Sequence, residues 1–291
     1  MTTSNPVKNV VAFHDISSFG RVSLTEIIPI MSTMGFKVCP VPTALLSNQV
    51  EYPEFSFLDL TDEMRKIIDA WDRYDISLEA MYSGFLGSTE QVDVVKDFIN
   101  RYSGQGMLKV VDPVMADDGQ LYDCFDDEMV CAMRDMAGLA DVVTPNLTEA
   151  FLLLNRPYSR FNSLSQIKEL LRGLTDMGPA VAVITSVPFE DMPDRIATMA
   201  FDRESGKFWR VMCPYVPTHY PGTGDAFASV LTGSLLQGDS LPIALERAAR
   251  FVYDAIRTSF GYETDHREGV LLERMLPRLN EPFVADVYEL V

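Results

Sequence analysis

The chain has 291 residues, 47% of them hydrophobic and 23% charged, a balance typical of globular proteins that excludes a disordered, collagen-like or coiled-coil chain. The 24 Lys and Arg against 42 Asp and Glu leave a formal net charge of −18, a field that repels nucleic acids and anionic membranes and so excludes both as partners. The four cysteines form no C-x-x-C pair, the N-terminal segment is polar, and no apolar run of about 18 residues follows, so we expect a soluble, cytoplasmic protein.

Short β-forming apolar runs alternate along the chain with longer amphipathic stretches. In chain order, the pattern predicts a strand at 9–14, a loop at 15–21, a helix at 22–34, a strand at 36–43, a helix at 61–74, a strand at 78–83 and a helix at 88–102. It then predicts strands at 108–112 and 141–144, a helix at 163–177, a strand at 180–185, a hairpin of strands 196–201 and 208–212, and two closing helices at 223–237 and 240–260. Strands joined by helices form βαβ units, so we predict an α/β fold, with a mostly parallel sheet and helices on both faces, in a single domain spanning residues 1–291.

The stretch Tyr220-Pro-Gly-Thr-Gly-Asp225 opens the predicted helix 223–237. Its two glycines permit a tight turn. The free N–H groups of the first helical turn, together with the helix dipole, form a site for an anion or for negative charge that develops during a reaction. The same residues also fit a plain glycine-rich loop in which Asp225 only complements the dipole. The motif alone leaves both interpretations open.

Polar residues also follow two of the predicted strands. Asp112 ends the strand 108–112, and Thr144-Pro-Asn-Leu-Thr-Glu149 follows the strand 141–144. Ligands of parallel sheets lie at the carboxyl ends of the strands, and Mg²⁺ takes few direct protein ligands and keeps several waters. Asp112, Asn146 and Glu149 therefore suit a magnesium–phosphate group. The structural alternatives are a loop cap for Asp112 and a helix start for Thr148, or for Asn146 with Glu149.

Several segments together resemble the pyridoxal (vitamin B6) kinases of the ribokinase superfamily, over most of the chain. They are Thr43-Ala-Leu-Leu-Ser-Asn48, Ser83-Gly-Phe-Leu-Gly-Ser88, Asp112-Pro-Val-Met115, Pro145-Asn146 with Glu149, Ile184-Thr-Ser186 and Gly222-Thr-Gly-Asp225. The resemblance implies a ribokinase-like three-layer sandwich and the ATP-dependent phosphorylation of the 5′-hydroxymethyl group of pyridoxal, pyridoxamine or pyridoxine. It also implies Mg²⁺, often a monovalent cation such as K⁺, and a homodimer.

The resemblance also implies roles for individual residues. The catalytic group would consist of Asp225 as general base and of Gly222, Thr223 and Gly224 as an anion hole. The nucleotide and metal side would consist of Asn146 and Glu149 with Asp112 nearby, of Thr185 and Ser186 at the phosphates, and of Tyr220 and Pro221 at the approach to the nucleotide. The B6 side would consist of Asp15, Thr43, Ser47 and Phe85. Since a helix dipole lowers the pKa of a carboxylate at its N-terminus, we expect Asp225 to be a weak ground-state base that takes the proton late.

Three positions depart from the family pattern. Asp15 stands where relatives carry Ser, Phe85 stands where an aromatic hydroxyl is common, and Arg21-Val-Ser-Leu24 replaces a His–Gly–Asn-like run. Asp15 either pairs with the amine of pyridoxamine or caps its loop, and the sequence leaves both open. His14, at the end of a predicted strand, is interpreted as a core histidine whose hydrogen bonds are satisfied.

Hydroxymethylpyrimidine (phosphate) kinase, from the same superfamily, is the nearest alternative, although its members usually carry Cys where this chain has Asp225. A ribokinase-like sugar kinase is disfavoured because no insertion rich in Gly–Gly pairs is visible. A non-catalytic B6- or nucleotide-binding protein is disfavoured because it has no use for a base beside an anion hole. A Rossmann dehydrogenase is excluded, since residues 15–20 do not form G-x-G-x-x-G.

Overall fold

The computed structural model describes residues 6–74 and 76–291. Its strands are β1 (Asn9–Ser17), β2 (Lys37–Leu46), β3 (Phe57–Asp59), β4 (Ala80–Ser83), β5 (Leu108–Val111), β6 (Ala116–Asp117), β7 (Gln120–Leu121), β8 (Val142–Val143), β9 (Val181–Pro188), β10 (Arg195–Asp202), β11 (Lys207–Pro214) and β12 (Tyr288–Leu290). Its helices are α1 (Leu24–Thr33), α2 (Thr61–Trp71), α3 (Thr89–Tyr102), α4 (Asp127–Ala137), α5 (Leu147–Leu153), α6 (Leu164–Asp176), α7 (Thr223–Gln237), α8 (Leu241–Phe260) and α9 (Leu272–Met275).

Ten of the strands form one sheet, in the order β12-β11-β10-β9-β8-β5-β4-β1-β2-β3. The central strands from β9 to β2 run parallel to one another. Antiparallel strands extend the sheet at both edges, through β10, β11 and β12 on one side and β3 on the other. The carboxyl ends of the parallel strands therefore meet at one edge, which is where a ligand site is expected.

Helices cover both faces of the sheet. On one face, α2 to α6 pack over a core that includes Val11 and Phe98. On the other face, α1, α7, α8 and α9 pack over a core that includes Val10 and Leu231. The predicted fold class, α/β with a mostly parallel sheet and helices on both faces, is confirmed. The single-domain organisation is consistent with one continuous sheet and stays a prediction. None of the helices within residues 6–74 and 76–291 has the length and apolar character needed to span a membrane.

Local sequence explains where several helices begin. The Ser88 hydroxyl accepts the Gln91 N–H at the start of α3, and Ser163 with Gln166 forms a capping box at the start of α6. Each cap satisfies a donor that the helix itself leaves free. The predicted helices 88–102 and 163–177 consequently agree with α3 and α6 to within a residue at each end. α1 runs through Pro29 without interruption.

β1 and β2 both continue beyond their predicted ends at residues 14 and 43. They pair in parallel through Ile16 with Leu45 and Ser17 with Leu46, after an irregularity that follows residue 14. The predicted loop 15–21 therefore begins too early, and Asp15 lies inside β1. Polar residues at the end of a strand conceal it from an apolar pattern. The pattern also gave no prediction for α4, β3, β6 or β7.

The prediction that two helices close the chain is wrong. After α8 the chain forms α9 and then β12, which pairs antiparallel with β11. The fully buried Glu246 carboxylate of α8 accepts the N–H groups of Asp286, Val287 and Tyr288, each at 2.9 Å. All three residues of β12 are exposed, so this acceptor and the pairing with β11 hold the segment instead of apolar burial. Such a contact leaves no periodic pattern in the sequence.

Candidate active site

α7 begins at a turn that only glycine fits. Gly222, its N-cap residue, has a φ of 84°, a left-handed conformation that is costly for any other residue. A methyl group at Gly222 would lie 2.5 Å from Glu26 Oε2 and closer still to the carbonyl oxygen of Arg21. The Thr223 hydroxyl donates to the Tyr220 carbonyl at 3.1 Å and fixes the turn. The N–H groups of the first turn of α7 have no acceptor within the helix and suit an anion.

Asp225, in that first turn, has two neighbours from the N-terminal part of the chain. The Ser23 backbone N–H donates to Asp225 Oδ2 at 2.8 Å, and His14 Nδ1 lies 3.6 Å from Asp225 Oδ1. Burial raises the pKa of Asp225 to about 7, although the Ser23 N–H and the neighbouring Tyr82 hydroxyl act to lower it. The expectation that the helix dipole would lower this pKa is therefore wrong, because the cost of desolvating the carboxylate is larger. The side chain keeps 13% of its surface exposed, so a ligand can reach it.

His14 is fully buried in β1, and neither of its ring nitrogens has a hydrogen-bond partner within the described parts of the chain. The ring packs edge-on against Tyr82, with 4.4 Å between centroids, and against the backbone of Gly84. Burial lowers the pKa of His14 to about 3, so the ring is neutral. The interpretation of a satisfied core histidine is wrong: the ring is buried, but its Nδ1 faces Asp225 just beyond hydrogen-bond distance.

Asp15 is only 5% exposed and is surrounded by hydroxyl groups. Ser23 Oγ donates to Asp15 Oδ1 at 2.5 Å, and Ser17 Oγ donates to Asp15 Oδ2 at 3.0 Å. Ser23 is also the N-cap residue of α1. Burial raises the pKa of Asp15, while these two hydrogen bonds lower it. Of the two interpretations of Asp15, the contacts in the structure are those of a residue that caps the β1–α1 turn.

Asn146 and Glu149 start α5 at the carboxyl end of β8. Asn146 Oδ1 accepts the Glu149 N–H and Glu149 Oε2 accepts the Asn146 N–H, both at 2.9 Å, while Glu149 Oε1 accepts the Met115 N–H at 3.0 Å. The helix-start interpretation is thus confirmed. Burial raises the pKa of Glu149 to about 8. Burial, and then the carboxylates of Glu149 and Asp225, raise the pKa of Asp112 well above its usual range. These acids are therefore close neighbours.

Thr185 and Ser186 lie on β9 beside Asn146. Asn146 and Thr185 form a parallel β-bridge, and Ser186 is exposed with a φ of 56°, an uncommon conformation for a residue other than glycine. Tyr220, in contrast, is 4% exposed and packs into the core that α7 covers, while Pro221 is half-buried. The structure thus brings Thr185 and Ser186 to the strand-end polar residues and leaves the Tyr220 ring little surface for a nucleotide.

Two of the residues predicted for the B6 side are in contact. The Thr43 hydroxyl of β2 donates to the Phe85 carbonyl after β4 at 3.2 Å. The Phe85 ring in turn lies beside Phe125, with 5.6 Å between centroids. Ser47 is exposed, and its hydroxyl accepts the Ser56 N–H at 2.9 Å, which holds the β2–β3 connection. Phe85 is half-buried and keeps some surface for a ligand, whereas Thr43 is fully buried and Ser47 has a partner in its own loop.

The sequence patterns missed three side chains near Asp225 and the acids. Tyr82 lies next to Asp225, and burial, followed by the charge of Asp225, raises the pKa of its hydroxyl. Burial and the nearby Glu149 raise the pKa of Tyr122. Glu26 is fully buried in α1, and within residues 6–74 and 76–291 neither of its carboxylate oxygens has a hydrogen-bond partner. Glu26 is the only charged residue in the predicted helix 22–34, a signal that could have revealed it.

A divalent cation fits the acidic end of β5 and β8. In the described chain, no group of three or more His, Cys, Asp or Glu is arranged to hold a metal by itself. Asp112 nevertheless faces like charge from Glu149, which a bound cation would relieve. Mg²⁺ held mainly by phosphate oxygens and water, with one or two carboxylates, matches this donor set.

Comparison with known proteins identifies the family. A model of the family described as phosphomethylpyrimidine kinase matches residues 28–269. A Bacteroides thetaiotaomicron protein, provisionally assigned as a phosphomethylpyrimidine kinase and solved with pyridoxal, is 54% identical, with a TM-score of 0.95 over 98% of this chain and 100% of its own. Pyridoxal kinase from Lactobacillus plantarum is 32% identical, with a TM-score of 0.86 over 94% of this chain and 96% of its own. Pyridoxal kinase from Leishmania donovani, solved with ADP and pyridoxamine, is 26% identical, with a TM-score of 0.84 over 97% and 98%.

The fold is that of a ribokinase-like small-molecule kinase, so the resemblance to the pyridoxal kinases of that superfamily is confirmed. The chain belongs to the phosphomethylpyrimidine kinase family and is an ATP-dependent kinase.

Proposed function

We propose that this kinase transfers the γ-phosphoryl group of ATP to the 5′-hydroxymethyl oxygen of a B6 vitamer, namely pyridoxal, pyridoxamine or pyridoxine. The observation that carries the proposal is the position of Asp225. Its carboxylate lies at the start of α7, against His14 of β1 and within electrostatic reach of Asp112 after β5. On the acceptor side, Thr43 of β2 contacts Phe85, which follows β4, and these two strands lie on either side of β1. The pyridoxal bound in the Bacteroides relative and the pyridoxamine and ADP bound in the Leishmania relative support these substrates.

In the proposed reaction, the alignment of the reacting groups matters more than the strength of the base. Phosphoryl transfer passes through a loose transition state, so an enzyme gains most by orienting the groups and neutralising charge. In this proposal Asp225 orients the acceptor hydroxyl and takes its proton as the oxygen bonds to phosphorus. A pKa of about 7 leaves Asp225 about half ionised at neutral pH and better able to hold a proton than an ordinary aspartate. The N–H groups of Thr223 and Gly224, after the Gly222 turn, stabilise the charge on the transferred group.

We further propose that the ATP phosphates lie along Asn146, Thr185 and Ser186. Asp112 and Glu149 would hold Mg²⁺, which when bound neutralises phosphate charge. Both oxygens of Glu149 already accept backbone N–H groups, so Asp112 is the better candidate for a direct ligand. Tyr220 is buried, so its burial argues against a contact between its side chain and the nucleotide.

Hydroxymethylpyrimidine, free or phosphorylated, is the second candidate acceptor. The family description and the provisional assignment of the Bacteroides relative favour it. The presence of Asp225 where pyrimidine kinases usually carry Cys, and the pyridoxal in that relative's crystal, favour the B6 vitamers. Both acceptors are flat aromatic rings that carry a hydroxymethyl group, so stacking on the half-buried Phe85 ring would suit either.

One panel of assays tests the proposal. The protein is incubated with MgATP and, in turn, pyridoxal, pyridoxamine, pyridoxine and hydroxymethylpyrimidine, and ADP release is followed. We expect turnover with at least one B6 vitamer, and turnover of the pyrimidine alone would transfer the proposal to the second acceptor. The Asp225→Asn variant should keep vitamer binding and lose roughly 10²–10⁴-fold in kcat. Asp97→Asn, the same change at an exposed position of α3, is the matched control and should leave kcat unaltered.

We also infer a homodimer formed through the β3 edge of the sheet. β3 is the outermost strand on that side, and its Phe57 and Leu58 are 47% and 57% exposed beside the exposed Leu45 of β2. An exposed apolar edge strand is a surface that proteins normally cover. Light scattering after gel filtration should give twice the 32.6 kDa chain mass for the wild type and the chain mass for Leu58→Asp.

The four free cysteines support the inferred cytoplasmic location.

A further inference from the structure

We propose that Asp15 is a positioning residue for the general base, acting on Asp225 through Ser23 and not on the substrate. The proposal rests on the proposed role of Asp225. In this role Asp15 holds the strained backbone of Ser23, and Ser23 in turn fixes the orientation of the Asp225 carboxylate.

Within the described parts of the chain, Asp15 is buried with no cationic side chain paired to it. A carboxylate that is 5% exposed is costly unless hydrogen bonds satisfy it. Asp15 has two such bonds, from the hydroxyls of Ser23 and Ser17, and the bond to Ser23 is the shorter at 2.5 Å. Charge-assisted hydrogen bonds of this length are stronger than bonds between neutral groups. Asp15 therefore fixes the Ser23 side chain firmly.

The backbone of Ser23 adopts an unusual conformation. Ser23 has a φ of 51° and a ψ of −135°, a combination that residues other than glycine rarely adopt. Such conformations cost about 1–3 kcal/mol and persist only where the surroundings determine them. Ser23 is held on both sides: its hydroxyl is bound by Asp15, and its carbonyl oxygen accepts the N–H groups of Glu26 and Ile27 in α1.

The strained backbone of Ser23 directs its N–H group towards Asp225. In this conformation the Ser23 N–H donates to Asp225 Oδ2 at 2.8 Å. It engages one oxygen of the carboxylate and leaves Oδ1 on the side of His14. Ser23 lies 202 positions before Asp225 in the chain, so this hydrogen-bond donor comes from outside α7. If Ser23 relaxes to an ordinary conformation, its N–H turns away and Asp225 loses the donor that orients it.

Three variants test this chain of contacts. Asp15→Ala removes both acceptors and frees Ser23, so kcat should fall about 10- to 100-fold with little change in KM for the acceptor or ATP. Asp15→Asn keeps an acceptor for the Ser23 hydroxyl and places an amide against Ser17 Oγ, which can accept, so kcat should recover to within about threefold of the wild type. Ser17→Ala is the matched control: it removes the other hydrogen bond of Asp15 and leaves the Ser23 contact in place, so its effect on kcat should be small.

The opposing interpretation predicts a different pattern. If Asp15 instead pairs with a substrate amine, Asp15→Asn should raise KM for pyridoxamine and leave pyridoxine unaffected, and this result would overturn the positioning role. Equal kcat values for Asp15→Ala and the wild type would also overturn it.

Hydrogen exchange separates failure of this inference from failure of the proposed function. The Ser23 amide should lose protection in Asp15→Ala and keep it in Asp15→Asn and Ser17→Ala, whichever acceptor the enzyme uses. Protection that persists in Asp15→Ala would refute the inference even if every vitamer were phosphorylated. Loss of Ser23 protection, in a variant whose melting temperature shows that it folds, would support the inference even if the substrate assignment failed.

Discussion

The two glycines at the start of α7 differ in what an alanine would meet, and this difference gives a sharp prediction. At Gly222, φ is 84° and a methyl group would collide with the Arg21 carbonyl oxygen and with Glu26 Oε2. The left-handed backbone costs about 1–2 kcal/mol and overpacking costs about 1–3 kcal/mol, so Gly222→Ala should lose about 2–5 kcal/mol of stability. With about 2–4 °C lost per kcal/mol in chains of this size class, the melting temperature should fall by about 4–20 °C.

Gly224→Ala is the matched control. A methyl group there meets only Asp112 Oδ2, at the ordinary contact distance of 3.7 Å, and alanine favours a helix over glycine. This variant should melt at or above the wild-type temperature. Differential scanning calorimetry of the three proteins in one buffer decides the matter. Melting temperatures for Gly222→Ala and Gly224→Ala within about 1 °C of each other would refute the steric reasoning, because then the Gly222 turn relaxes without cost.

Three further predictions concern ionisable groups. Because burial raises the pKa of Asp225 to about 7 and the base must be ionised, kcat/KM for the acceptor should rise with pH through about 7 and then level off; initial rates across that range that do not change with pH would contradict the assignment. Burial raises the pKa of Glu26 well above its usual value, so the folded state binds its proton more tightly and the wild type loses stability as pH rises above the unfolded-state value of about 4.3. Urea unfolding should therefore show Glu26→Gln to be more stable than the wild type at pH 8, with the difference shrinking towards pH 4, whereas a difference independent of pH would be evidence against a buried charge. Glu246→Ala leaves three N–H groups near β12 without their acceptor, so the amides of Val287 and Tyr288 should exchange at rates close to those of an unstructured peptide, and retained protection there would show that β12 is held by other contacts.

Features that depend on neighbours in the sequence were predictable. The buried strand at 9–14 and the helices at 88–102 and 163–177 follow from apolar periodicity and from hydroxyl caps at Ser88 and Ser163. The Gly222-Thr-Gly-Asp225 motif likewise located the start of α7, because its turn and helix are built from adjacent residues. For the site, the strand-end positions of Asp112 and Asn146 followed from the alternation of strands and helices.

Features that depend on distant parts of the chain were not predictable. The pKa of Asp225 was expected to fall because the helix dipole is a local property, whereas the desolvation that raises it comes from packing against β1. His14 was assigned satisfied hydrogen bonds because a sequence does not show that Asp225 and Tyr82 surround its ring. The position of β12 depends on its pairing with β11 and on a buried acceptor, Glu246, neither of which an apolar pattern can reveal.

The hydrogen bond between Ser23 and Asp225 also bears on how activity is gained during folding and lost on heating. The two residues of this hydrogen bond lie in different parts of the chain, since Asp225 comes 202 residues after Ser23. Contacts of such long range close slowly, so secondary structure should mature before turnover begins in a refolding experiment. On warming, separation of α1 from α7 would abolish activity while the sheet stayed intact. Inactivation should therefore precede the calorimetric transition.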